Sequence, residues 1–136
     1  MTRIYWDSCV AIYRVENVAP WAMTLAQWLA AQDAGASLCI SELTRMECRL
    51  APLRAGNAEL LARYDDFFAR PDLSTVELSR AVFERATALR AEHRLKTPDA
   101  LHLAAAIESR CTQFWTNDRR LAAAAAGHLE VHALSA

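Results

Sequence analysis

Short β-forming runs alternate with helix-patterned segments along the whole chain, and this alternation limits the fold more than any other feature. Arg3–Trp6, 37–40, 73–78, Gln113–Thr116 and 129–133 read as strands. Helical segments lie between them. The first runs over 8–17. The second has Pro20 in its first turn and ends at Gly35. Ser41 caps a third, which runs to about Arg54 and is broken by Gly56. Asn57 and Ser79 cap the fourth and fifth. Thr97-Pro98 opens the sixth, with Thr97 as the cap, and its body at 100–107 is apolar nearly all round and therefore buried. Asn117 or Asp118 caps a last, Ala-rich helix ending at Gly127. Strands joined through helices give a parallel sheet covered on both faces, an α/β fold. The chain of 136 residues carries no low-complexity linker, repeat or composition break, so 1–136 is expected to be a single domain around one core.

Composition removes several functional classes. A net charge of −1 gives no global basic field of the kind a tight, non-specific nucleic-acid binder needs. The cations are almost all Arg, with Lys96 the only Lys. Arg suits bidentate phosphate contacts, although an Ala- and Arg-rich chain is also what a GC-rich genome encodes. No apolar run is long enough to span a bilayer, and Met1 to Asp7 lacks the apolar stretch of a secretory signal, so a cytoplasmic location is expected. Cys9, Cys39, Cys48 and Cys111 form no C-x-x-C pair and have no His at zinc-finger spacing; they read as free thiols packed as small hydrophobes.

The acids carry the functional signal. In parallel α/β sheets the ligand crevice lies beyond the carboxyl ends of the strands. Asp7 directly follows the first strand, and Asp118 follows the 113–116 strand by two residues. Either is equally well read as a helix cap. Asp99 stands in the first turn of the apolar sixth helix, so its carboxylate is expected to face inward or into a cleft. Glu47 lies mid-helix, where no capping role reaches it. At 3.6 residues per turn it shares one face with Leu43, Met46 and Leu50, with Arg45 and Arg49 on the opposite side. A carboxylate on an apolar stripe needs a partner: an Arg from elsewhere in the chain, or a metal.

Carboxylates crowded at one sheet end repel and raise one another's pKa, and a hard divalent cation relieves the conflict. Mg²⁺ takes oxygen ligands, keeps several waters, and binds through a few carboxylates plus substrate phosphates. Such an ion activates water and stabilises charge on a phosphoryl oxygen. All-oxygen ligation also fits the absence of His near these acids in the sequence. His102, three residues after Asp99, reads as packed core or as support for a ligand.

Four segments then carry a family resemblance: Tyr5-Trp6-Asp7-Ser8, Ser41-Glu42-Leu43-Thr44-Arg45-Met46-Glu47, Thr97-Pro98-Asp99-Ala100-Leu101-His102-Leu103-Ala104, and Trp115-Thr116-Asn117-Asp118. In this order and on these elements the chain resembles PIN domains, and among them the VapC-type toxins, over its whole length. The resemblance implies a three-layer α/β/α fold around a short parallel sheet. It implies a Mg²⁺- or Mn²⁺-dependent endoribonuclease that cleaves structured RNA, often tRNA or rRNA, as the toxin of a type II toxin–antitoxin pair. The acidic quartet maps onto Asp7, Glu47, Asp99 and Asp118, with Asp7 and Asp99 as the main metal ligands. Ser8, Thr116 and Asn117 map onto supporting positions, and Glu42 onto an accessory acid. A VapB-type antitoxin and a homodimer are the implied partners. Arg45, Arg49, Lys96, Arg119 and Arg120 lie near these segments and are candidates for holding RNA phosphates or for ordinary solvated surface.

Two other readings stay open on the sequence chemistry: a housekeeping RNA-processing nuclease of the same fold, and a non-catalytic module that has kept it. A signalling receiver domain also gathers acids at a sheet edge. It needs adjacent acids after the first strand, where Ser8 and Cys9 stand here, and an Asp after a middle strand, which the 73–78 run lacks.

Overall fold

Alternation within the strands builds two separate cores, one on each face of the sheet. In the computed structural model, which describes residues 1–134, β1 (Arg3–Trp6), β2 (Ser37–Ser41), β3 (Leu73–Val76), β4 (Gln113–Thr116) and β5 (Glu130–Ala133) form one sheet in the order β3-β2-β1-β4-β5. Every neighbouring pair is parallel. The last two residues of the expected 1–136 domain lie outside the described residues.

Successive side chains of a strand point to opposite faces. Ile4 and Trp6 of β1, Ile40 of β2 and Trp115 of β4 therefore enter one core, packed by α1 (Ser8–Glu16), α2 (Trp21–Ala30) and α4 (Ala58–Phe68). Tyr5, Cys39 and Phe114 enter the other, under α5 (Arg80–His93), α6 (Thr97–Glu108) and α7 (Arg119–Ala125). The helices lie on both faces, as expected of a three-layer α/β/α fold. α3 (Glu42–Ala55) serves both cores: Leu43 packs on the second and Cys48 on the first. It starts directly after β2, at the carboxyl edge of the sheet.

α6 is as buried as its composition requires, with every residue from Ala100 to Ala106 inside. Four of those seven are Ala, and small side chains allow close approach of α5 and the sheet. Element ends differ from the sequence reading in a few places. Lys96, not Thr97, stands at the N-cap of α6, and no side chain caps that helix; Thr97 and Pro98 are its first residues, where a missing N–H leaves no bond unmade. α2 ends at Ala30, and Gly35 lies in the turn before β2. β3 stops at Val76, which pairs with Ser41, the last residue of its neighbour β2. Asp118, rather than Asn117, caps α7, which ends at Ala125. Gly56 ends α3 in the left-handed region, φ 66°, which glycine adopts without a Cβ clash. Among the described residues no helix is long and apolar enough to cross a membrane, and all four cysteines are free thiols.

Candidate active site

Chain order reverses at β1. From β1 the chain progresses outward through β2 to β3, then returns to β1's other side for β4 and β5. A crevice opens beyond the carboxyl ends of strands at such a switch point. Asp7 leaves β1 and Asp118 follows β4, so the topology sets them on either side of it.

Asp7 is buried and held on both carboxylate oxygens. Its Oδ1 accepts from Ser8 N at 2.8 Å, capping α1, and its Oδ2 accepts from Thr116 Oγ1 at 2.8 Å. Thr116 Oγ1 in turn accepts from Asp118 N at 3.0 Å. Asp118 is exposed and caps α7, its Oδ1 accepting from Arg120 N at 2.9 Å and Leu121 N at 3.1 Å. Both acids are helix caps, as one of their two readings had it. Capping fixes the carboxylates at the groove and leaves oxygen lone pairs available.

Glu47 is half-buried, and its partners differ from those expected. No Arg reaches it. Its Oε1 accepts from Ser8 Oγ at 2.6 Å and from His102 Nε2 at 2.6 Å. The imidazole read from the sequence as packed core or ligand support therefore lies among the acids, with Nε2 3.8 Å from Asp7 Oδ1. The face of α3 is also rotated relative to the expected stripe. Leu43, Thr44, Cys48 and Pro52 face inward, whereas Met46 and Leu50 are exposed. Glu47 sits at the border between the two.

Asp99 is half-buried in the first turn of α6. Burial raises its carboxyl above the ordinary range, and the charges of Asp7 and Asp118, with a smaller contribution from Glu47, raise it further against His102. All three other acids thus act on Asp99 through space. Burial also pushes Glu47 upward, but the hydrogen bonds from His102 and Ser8 outweigh it and hold the carboxyl below its usual value. Burial, followed by the charge of Asp7, pushes the neighbouring Cys9 thiol up to about 12. It stays protonated and offers no soft thiolate, so the donors around the groove remain hard oxygens.

The groove itself is open, about 370 Å³, and is lined by Asp7, Ser8, Glu47, Asn117 and Asp118 together with Cys9 and Tyr13. Asn117 donates from Nδ2 to Tyr13 Oη at 2.9 Å. Glu42 is exposed and pairs with Arg45 at 3.2 Å. Arg45 also lies over the Phe68 ring, and Arg49 pairs with Asp65 at 2.8 Å. Glu42, Arg45 and Arg49 thus lie outside the groove lining. Lys96 and the first-turn residues Arg119 and Arg120 are exposed at the starts of α6 and α7, on the same edge of the sheet as the acids.

Among the described residues, no three His, Cys, Asp or Glu side chains converge closely enough to hold an ion as a set. The donor chemistry nevertheless fits a hard divalent cation. The candidate ligands are all carboxylates, Asp99 is raised by burial and by its acidic neighbours with His102 opposing them, and the open groove leaves room for the waters that Mg²⁺ retains.

Comparison with protein-family models matches residues 4–127 to the PIN domain. The chain belongs to the PIN domain family. The match runs from β1 into the turn after α7 and so takes in all four acids. A search of curated proteins finds no match. Among solved structures, this PIN domain is similar to a chain of VapBC2 from Rickettsia felis bound to a promoter DNA fragment, with TM-score 0.76, 14% identity, and 97% and 98% of the two chains covered. It is similar to VapC20 from Mycobacterium tuberculosis, a sarcin-ricin loop cleaving toxin, with TM-score 0.75, 14% identity, and 95% and 98% covered. At that identity these two likenesses are of fold. A chain of a toxin–antitoxin complex from Klebsiella pneumoniae reaches 26% identity, with TM-score 0.65 and 85% and 86% covered.

Sequence reasoning overlooked the polar layer behind the carboxylates of this PIN domain: Tyr5, Ser41 and Tyr13. It set His102 aside as packing or ligand support. One signal was present: His102 is the only polar residue in the buried stretch of α6.

Proposed function

We propose that this PIN domain, expected to span 1–136, is a Mg²⁺-dependent endoribonuclease, with Mn²⁺ able to substitute, and the toxin of a type II toxin–antitoxin pair. The observation that carries the reading is that Asp7, Glu47 and Asp118 line one groove at the topological switch point, with Asp99 outside its lining but near enough that burial first, then Asp7, Asp118 and to a lesser extent Glu47, raise its carboxyl. Three acids acting on a fourth, opposed only in part by His102, is the electrostatic state that a divalent ion would relieve. The bound ion supplies an activated water and charge stabilisation for RNA phosphodiester hydrolysis. Asp7 and Asp99 are its main ligands, directly or through water, and Glu47 and Asp118 complete the set. Thr116 and Ser8 hold Asp7 in place, and Arg119, Arg120 and Lys96 at the same edge bind flanking phosphates. Arg45 and Arg49 would do so only by leaving their present partners.

Structured RNA, tRNA or rRNA, is the proposed substrate, cleaved in the cytoplasm to arrest translation and growth. The neighbours named as VapBC and toxin–antitoxin complexes support a VapB-type antitoxin as partner, and a homodimer is the proposed assembly. The exposed apolar row Met46, Leu50 and Leu53 on α3, one turn from Glu47, suits a protein partner that covers the groove. The test is Asp7→Asn and Asp99→Asn. Each is expected to abolish RNA cleavage and growth arrest while the protein stays folded. Cleavage that survives either substitution, or excess EDTA, would refute the metal mechanism.

A further inference from the structure

α6 buries seven consecutive residues, and His102 is the polar one among them. Only 1% of it is exposed, so unmade hydrogen bonds on its ring would be expensive. None are unmade. Nδ1 lies 2.8 Å from Tyr5 Oη, and Nε2 lies 2.6 Å from Glu47 Oε1 and 3.2 Å from Ser8 Oγ. Tyr5 Oη lies 2.9 Å from Ser41 Oγ. A chain of contacts thus runs Ser41–Tyr5–His102–Glu47 through the protein, ending at the groove.

The chemistry of the members assigns the protons. An ionised carboxylate accepts only, so Nε2 carries the hydrogen that Glu47 receives. In a neutral ring Nδ1 is then an acceptor, and Tyr5 supplies its O–H. Tyr5 has one hydroxyl hydrogen for two neighbours, Ser41 Oγ and His102 Nδ1; with it on Nδ1, the rotatable Ser41 hydroxyl donates to Tyr5 Oη in turn. Ser8 Oγ donates to the same carboxylate oxygen as His102. Both donors thus land on Oε1, and no hydrogen bond among the described residues reaches Oε2. β1 supplies both ends of the device. Its alternation turns Tyr5 toward α6, and its exit places Asp7 at the groove.

We infer that His102 is a positioning residue for the carboxylate site: its Nε2–H, fixed in that tautomer by Tyr5, pins Glu47 through Oε1 and leaves Oε2 to a divalent cation. The inference rests on the metal reading of the groove. Partners of this kind fix ligand orientation, and their loss typically weakens metal binding about 10–100-fold.

The test uses the full chain and Mn²⁺ alone. In ¹⁵N-histidine NMR of the wild type, His102 is expected to show an unprotonated Nδ1 and a protonated Nε2. By calorimetry, His102→Leu is expected to bind Mn²⁺ about 10-fold more weakly or worse. His102→Gln, whose amide N–H takes the place of Nε2–H, is expected to recover affinity to within about threefold of wild type. Tyr5→Phe keeps the ring and removes only its lock; it is expected to weaken Mn²⁺ binding and release the tautomer, and it serves where His102→Leu does not fold. A proton on Nδ1 in the wild type, or Mn²⁺ affinity unchanged in folded His102→Leu or in Tyr5→Phe, overturns the role of His102 alone. A wild type that binds no Mn²⁺ overturns the metal reading, and the role of His102 toward the metal falls with it.

Discussion

Thr116 Oγ1 donates a 2.8 Å hydrogen bond to Asp7 Oδ2, joining residues 109 apart in the chain. The same hydroxyl accepts from Asp118 N. One buried oxygen thereby sets the separation of the acids that follow β1 and β4, the two strands flanking the switch point. Thr116→Val keeps the shape and removes the hydroxyl. It leaves the Asp118 N–H without its acceptor and Asp7 Oδ2 without its donor. A loss of about 1–3 kcal/mol in urea unfolding is expected, together with weaker Mn²⁺ binding. Unchanged stability would mean that water replaces the hydroxyl without cost.

Asp99 has the opposite relation to stability. Burial first, then Asp7 and Asp118, raise its carboxyl in the folded protein. A group raised on folding contributes stability that is fully present below its unfolded pKa and is lost as pH rises through the folded value. At neutral pH, without divalent ions, ionised Asp99 therefore opposes folding. Asp99→Asn is expected to melt above wild type at pH 7, with the gap closing in acid. Added Mg²⁺ is expected to raise the melting temperature of wild type more than that of the variant. A variant less stable than wild type at pH 7 would contradict this account of the cluster.

Glu47 contributes in the reverse sense. Its carboxyl is held low by His102 and Ser8 against burial, so its stabilisation is present above the unfolded pKa and lost as pH falls through the folded one. Glu47→Ala leaves two donors facing an empty acceptor and is expected to cost about 1–3 kcal/mol, whereas Glu47→Gln keeps an acceptor oxygen and costs less. Denaturant melts at pH 7 compare the two, and equal losses would rule out the hydrogen bonds as the source.

Leu50 and Leu53 are exposed on α3 and contribute little to the core. Leu50→Lys and Leu53→Glu are expected to alter stability by no more than about 0.5 kcal/mol. Both are expected to weaken association with a co-expressed antitoxin, as read by co-purification and titration. Undiminished association would place the partner on another face.

Much of this PIN domain is written locally. Strand and helix succession follows from short-range pattern. The caps Asp7, Asn57, Ser79 and Asp118 are chosen by side chains that bond to backbone N–H groups at most three residues away. The parallel sheet follows because helices must cross between strands, and the sheet edge that carries Asp7 and Asp118 follows from strand direction alone. The burial of the body of α6 follows from a surface that is apolar nearly all round.

What the sequence could not determine is which long-range partners meet. Glu47 was legible as an acid needing a partner, but periodicity gives only its angle on α3, not how α3 is rolled against the rest. Packing Leu43 and Cys48 into opposite cores sets that roll, exposes Met46 and Leu50, and brings Glu47 to a histidine 55 residues away. Arg45 and Arg49, candidates for phosphate by proximity in sequence, are drawn instead to Phe68 and Asp65 of α4. Local propensity acts over a few residues, whereas the rotation of a helix is set by the summed burial of all its contacts, and only the assembled fold contains that sum.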